Sequence, residues 1–290
     1  MRRRLLRLYL ALLVGSAAFR QFGPKPAAPP EIRFAWVREV DRGKLGRRLI
    51  RLAYRDTAPA STVLPVVLVH GSPGTSDVFR KLTAILSPHF RVIAPDLPGF
   101  GFSAHDLPDY SFRAQGLYLV ELLDSLNIGR AQLVGFSMGG GVVLSAADIA
   151  PRRVASIVML SSIGVQEHEL LGSYWPNHVL HGVQLVALWA LRIALPHFGL
   201  LDRFPLNVEY ARNFYDSDQR PLRSNLANYA GPMLIIHGSS DPMVPVAAAL
   251  EHHRIVKQSE LVVFDGNHFM VFERPQAIAE PLERFLSALR

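Results

Sequence analysis

The 290-residue chain is 49% hydrophobic and carries a net charge of +7, which is enough apolar material for a sizeable core and too much for a disordered chain. Six basic residues (Arg2, Arg3, Arg4, Arg7, Arg20 and Lys25) and no acidic residue lie in the first thirty positions, so the rest is nearly neutral and offers no surface for nucleic acid. With 0 cysteines the chain has no disulfides, thiolate metal sites or cysteine nucleophile, and its redox compartment stays open.

After the arginines at 2–4 the chain is apolar apart from Arg7 and uncharged over 8–19. As a helix that run is about 18 Å long, against a hydrocarbon core of about 30 Å. It is short for a spanning helix and suits the hydrophobic region of a signal peptide, with Ser16 and Ala18 in the small-x-small spacing a signal peptidase prefers. Counted from Leu5, with Arg7 snorkelling to the headgroups, the segment equally fits an uncleaved anchor. Either way, residues 5–19 are the expected membrane-associated stretch. The basic end stays cytoplasmic and the rest is directed outward, exported or anchored. GPKPAAPP at 23–30 cannot propagate a helix and reads as an extended linker, closing an N-terminal unit of residues 1–30.

From residue 31, strand and helix signals alternate. Residues 32–40 and 49–54 alternate apolar and polar side chains, as a pair of half-exposed edge strands would. Residues 66–70 are continuously apolar, a strand covered on both faces. An amphipathic helix is predicted over 77–86, a short strand over 91–94, a helix over 112–126 and a strand over 131–135. A small-residue helix then runs to about Ile149, with Pro151 marking its end, and 154–161 is another strand. Strand 233–237, helix 246–256, strand 260–264 and helix 275–289 complete the series. Strands joined by helical crossovers give an α/β fold with a doubly wound, mostly parallel sheet. Residues 163–229 break the rhythm with helical pieces and Pro/Gly punctuation. A structureless loop of that length is implausible, so the segment is expected to be an inserted helical cap between core segments 31–162 and 230–290.

The strongest chemical signal is GFSMG at 135–139, directly after a strand and before a helix. This is the G-x-S-x-G elbow in its required context. A serine in so tight a turn is pushed toward positive φ, its neighbours must be small, and its hydroxyl is lifted clear of the sheet. Around this motif the chain resembles the α/β-hydrolase family, in its serine-nucleophile, esterase- and lipase-like branch, over roughly residues 60–290. The resemblance holds at four places in the family's order. HGSPG at 70–74 is similar to the family's oxyanion loop. By that resemblance the Ser72 backbone N–H supplies one donor and the Met138 N–H the second, while His70 braces the loop. DLPGFGFS at 96–103 follows the next strand. Its G-x-G-x-x-A match over 99–104 lacks the following helix that a dinucleotide site needs, so Asp96 and the glycines read as a structural loop. HGSSDPMVP at 237–245 places Asp241 where the family carries its acid, and GNHF at 266–269 offers His268.

The order Ser137, Asp241, His268 agrees with that fold. An imidazole can take the serine proton and return it to the leaving group, and a carboxylate fixes its tautomer. Asp265 and Glu273 are the competing acids. His237, His252 and His253 show no partner pattern and are expected at the surface or at strand ends. No metal motif occurs: QEHE at 166–169 lacks a second histidine at the right interval, so neither metal nor cofactor is expected. Epoxide hydrolases and dehalogenases share the HGxP loop, but their elbow carries aspartate and Ser137 argues against both. The expected activity is hydrolysis of a carboxylic ester with a lipophilic or acyl group. The alternatives are an aminopeptidase using Glu167, Glu169 and Glu209, a carbon–carbon bond hydrolase, an acyltransferase, or a non-catalytic membrane-tethered binding protein.

Overall fold

The computed structural model describes residues 2–57 and 64–289. A long helix α1 (Arg2–Phe22) precedes the sheet, which opens with strands β1 (Arg33–Asp41) and β2 (Lys44–Asp56). These form a hairpin closed at Arg42 and Gly43, whose φ values of 48° and 67° suit the two-residue turn that matches strand twist. Strand β3 (Val66–Val69), helix α2 (Arg80–Leu86), strand β4 (Val92–Pro95), helix α3 (Phe112–Ser125), strand β5 (Ala131–Phe136), helix α4 (Gly139–Ile149) and strand β6 (Val154–Leu160) follow. Helices α5 (Tyr174–Ala194), α6 (Val208–Asp216) and α7 (Arg220–Asn228) come next, before strand β7 (Met233–Gly238). Helix α8 (Val246–Ile255), strand β8 (Glu260–Phe264) and helices α9 (Met270–Glu273) and α10 (Pro275–Ser287) end the chain's described part.

The eight strands form one sheet in the order β1-β2-β4-β3-β5-β6-β7-β8. The first two are antiparallel additions at one edge, and all pairings from β4 to β8 are parallel. The central strands are buried on both faces and split their side chains by the two-residue period of a strand. Val67, Val69, Leu133, Ile157 and Ile235 join Leu119, Val143 and Ala248 from the helices on one side. Val66, Leu68, Val134, Val158 and Leu234 join Leu82, Leu86, Leu282 and Leu286 on the other. This is a doubly wound α/β core, and the three helices α5 to α7 are inserted between β6 and β7.

Two local departures have physical causes. The predicted helix over 77–86 begins as a 3₁₀ turn, Ser76–Phe79, because the Thr75 side chain accepts from the Asp77 amide and starts the chain in a tighter turn. Strand β2 is far longer than the predicted 49–54, because its first half pairs with β1 at an exposed edge where no inward apolar pattern is needed.

Candidate active site

Ser137 sits at the carboxyl end of β5 with φ 55°, a left-handed conformation that costs a non-glycine residue on the order of 1–2 kcal/mol. Its amide donates to the Leu160 carbonyl at 3.1 Å, tying the turn to β6. The turn runs straight into α4, so the serine stands beside the partial positive charge of that helix's N-terminus. Close packing explains the glycines on either side. A Cβ on Gly139 would lie 2.3 Å from the Val69 carbonyl oxygen, so only glycine lets α4 approach the sheet. A Cβ on Gly71 would lie 2.7 Å from Ser137 Cβ, so the loop after β3 packs directly on the serine.

His268, after β8, places Nε2 3.0 Å from Ser137 Oγ. Its Nδ1 lies 2.7 Å from Asp241 Oδ2, in the loop after β7. Nδ1–H therefore donates to the carboxylate, leaving Nε2 free to accept the serine proton. The Phe136 ring packs 5.0 Å, centroid to centroid, from the imidazole and screens it from water. The other carboxylate oxygen, Oδ1, accepts from the Met243 and Val244 amides, each at 2.8 Å. Burial alone would raise the Asp241 carboxyl, but the bonds from His268 and from these amides outweigh it and hold it below the usual carboxylate range.

His237 is a member of this cluster that sequence reasoning left at a strand end without a partner. It is buried, its Nε2–H donates to the Val244 carbonyl at 2.9 Å, and the same nitrogen lies 3.6 Å from Asp241 Oδ2. It ties the loop that presents Asp241 back to β7. Nothing in HGSSD separates His237 from an exposed strand-end histidine, because its burial comes from the return of the chain at Val244. His252, expected at the surface or a strand end, is instead buried in α8 with its ring against Gly164, where a Cβ would lie 2.5 Å from its Nε2. Burial depresses its basicity to about 3.

Of the oxyanion candidates, Met138 follows the serine directly, and Ser72 follows Gly71, the residue that packs on Ser137. The Ser72 and Met138 amides donate to no acceptor among the described residues, as an oxyanion pair requires. The Ser72–Pro73 bond is cis. His70 is wholly buried, bonding the Gly71 carbonyl through Nδ1 at 2.7 Å and accepting from the Leu97 amide through Nε2 at 2.9 Å. It braces the loop with both nitrogens committed. Asp96 accepts from Ser76 and Phe102 amides at 2.8 and 3.0 Å, a structural use of the carboxylate.

The other acids lie elsewhere in the network. Glu273 accepts from Asn267 Nδ2 at 3.4 Å, and the Asp265 carbonyl receives Arg274. Glu167 pairs with Arg223 at 3.2 Å, Glu209 lies 3.8 Å from Arg192, and Glu169 is bonded by Gln166. Their partners differ, and the buried Glu209 Oε2 has no hydrogen-bond partner among the described residues. Among the described residues no cluster of histidines and carboxylates is arranged to hold a metal ion.

A doubly wound sheet carrying serine, histidine and aspartate at its carboxyl-terminal edge defines the class of α/β hydrolases with a serine at the elbow. Residues 66–280 match the sequence profile of the Alpha/beta hydrolase family, and the chain belongs to it. It is 29% identical over 258 residues to 2-hydroxy-6-oxo-2,4-heptadienoate hydrolase from Pseudomonas putida, covering 77% of this chain and 89% of that one. Among solved structures it is similar to a thermophilic esterase from Thermogutta terrifontis (TM-score 0.74, 21% identity, 89% of this chain and 99% of that one). A meta-cleavage product hydrolase from Pseudomonas fluorescens superposes with a TM-score of 0.65 at 22% identity, covering 83% and 96% of the two chains. At these identities the structural likeness speaks for the fold.

Proposed function

We propose that the chain is a serine hydrolase that cleaves a carboxylic ester, with a lipophilic or acyl group, through an acyl-enzyme. Ser137 Oγ attacks the carbonyl carbon as its proton passes to His268 Nε2. The carbonyl electron pair moves onto oxygen, between the Ser72 and Met138 amides. Collapse of this intermediate expels the alcohol, which takes the proton from His268. Water then repeats the sequence and releases the acid. Asp241 holds the imidazole in the tautomer that accepts at Nε2 and offsets the charge it gains. The observation that carries this reading is the relay of 3.0 and 2.7 Å from Ser137 through His268 to Asp241.

Within the same reading, residues 31–162 and 230–290 are the hydrolase core and 163–229 its cap. Helix α1 is the membrane-associated segment of this reading, an anchor where it is retained. A second chemistry, cleavage of a carbon–carbon bond next to a carbonyl, is favoured by the Pseudomonas putida relative. Two measurements separate the readings. Hydrolysis of p-nitrophenyl esters of graded acyl length, with a fluorophosphonate probe labelling Ser137, supports the ester reading. Turnover of a 2-hydroxy-6-oxo-dienoate without ester turnover overturns it. A folded chain that takes no label leaves only the binding role.

A further inference from the structure

Helix α5 is apolar on the side that should be wet. Trp175, Val179, Val183, Val186, Trp189 and Ile193 fall within an arc of roughly 120° on the helix, forming a stripe about 27 Å long. They are not half-hidden: Val183, Val186 and Trp189 are 65%, 68% and 58% exposed. The opposite side of the helix buries Asn177 and His181, so α5 is fixed to the fold and cannot turn the stripe inward. Its sole charged residue is Arg192, near its end.

Helix α1 adds a second exposed apolar element next to the end of α5. It is long and apolar, with a mean hydropathy of 1.3 over an 18-residue stretch, and it is almost wholly exposed. It is bonded to the segment where α5 ends. Tyr9 Oη donates to the Ala194 carbonyl at 2.5 Å, and Ser16 Oγ accepts from the Phe198 amide at 2.9 Å. The Phe19 and Phe198 rings meet edge to face at 6.0 Å. Asp202 lies 2.7 Å from Arg20 Nε and 2.8 Å from Arg192 Nε, so one carboxylate joins α1 to α5. Charge identifies the occupant. The start of α1 carries Arg2, Arg3, Arg4 and Arg7, and no acidic residue occurs up to position 30. A second copy docked through α1 would bring no carboxylate from its own first thirty residues to these arginines, whereas anionic lipid headgroups complement them.

We propose that α1 and the outward stripe of α5 form one surface that lies in the interface of an anionic lipid bilayer. The chain is then held by two elements, with α5 resting on the membrane rather than crossing it. The inference rests on α1 being retained as a membrane-associated segment, and it extends that reading to the inserted helices. Ester hydrolysis is a separate matter, measured separately below.

The chain has 3 tryptophans, at 36, 175 and 189, and Trp36→Phe leaves both remaining indoles on the stripe. The full-length Trp36→Phe protein is mixed with vesicles of phosphatidylcholine and phosphatidylglycerol, and both flotation and tryptophan emission are recorded. The expected result is co-flotation, a blue shift, and quenching by bromine-labelled acyl chains. Adding Val179→Ser, Val183→Ser and Val186→Ser should lower the partition coefficient on the order of tenfold or more. Turnover of a short, soluble p-nitrophenyl ester should stay unchanged, which also shows that the variant is folded. Flotation with silent tryptophans means that α1 binds alone and overturns the inference. Absence of flotation overturns it together with the reading of α1. Lipid-free dimerisation that buries the indoles overturns it in favour of a second copy.

Discussion

Both carboxylate oxygens of Asp241 are committed, one to the histidine and one to two backbone amides. Neither Asp265 nor Glu273 has such a seat. Asp241→Asn keeps the shape, but its NH2 group faces Nδ1–H unless the imidazole changes tautomer, and then Nε2 can no longer accept the serine proton. The expected loss is on the order of 10⁴ in kcat, measured on a p-nitrophenyl ester, with little change in Tm. Near-normal turnover would assign the acid to another residue. Ser137→Ala should lose about 10⁵–10⁶ in kcat while still binding substrate. These residues were legible because each sits in a short local motif at the end of a strand. His237 and His252 were not, because their burial is decided by distant packing: Val244 reaches back over one and Gly164 closes over the other.

At the level of elements, the crossover from β5 to α4 is where sequence and geometry agree most closely. Three consecutive glycines follow Met138, and the first is in contact with β3. Gly139→Ala adds one methyl group at 2.3 Å from the Val69 oxygen, which is backbone and cannot step aside. The helix must shift away from the sheet, at a cost of about 1–3 kcal/mol. The urea midpoint should fall with an unchanged slope, and activity should fall further than stability because Ser137 moves with the helix. An unaltered midpoint would mean that α4 has room for a methyl group beside the Val69 carbonyl. The parallel strands were equally legible, since burial on both faces writes a continuous apolar run. The hairpin strand β2 was not: at a sheet edge Lys44, Arg47 and Arg48 face water, and nothing in such a stretch separates strand from loop. The sequence marked 163–229 only as helical pieces, and which side of α5 faces the core was not legible, since that depends on what Asn177 and His181 pack against.

For the molecule as a whole, buried neutral histidines set the response to acid. His70, His237 and His252 are each pushed below the ordinary histidine range, chiefly by burial. The unfolded chain binds a proton at each near pH 6.5, whereas the folded chain leaves His252 neutral down to about 3. Between those limits the unfolded state holds more protons, so stability rises with pH and is lost as pH falls. For His252 alone the loss at pH 5, relative to pH 8, is about 2 kcal/mol. Asp241 and Glu251, both held below the carboxylate range, act further down. Their stabilisation is present above about pH 4 and is lost as pH falls through their folded values. Urea unfolding measured from pH 8 to pH 4 should therefore show midpoints declining from about pH 6.5, well before the carboxylates titrate. His252→Leu should flatten that decline, because leucine fills a similar volume in α8 and removes two ring nitrogens that have no hydrogen-bond partner among the described residues. A variant whose midpoint falls as steeply as the parent's would place the acid sensitivity in His70 and His237 instead, at the loop packed on the serine and the loop that carries its aspartate.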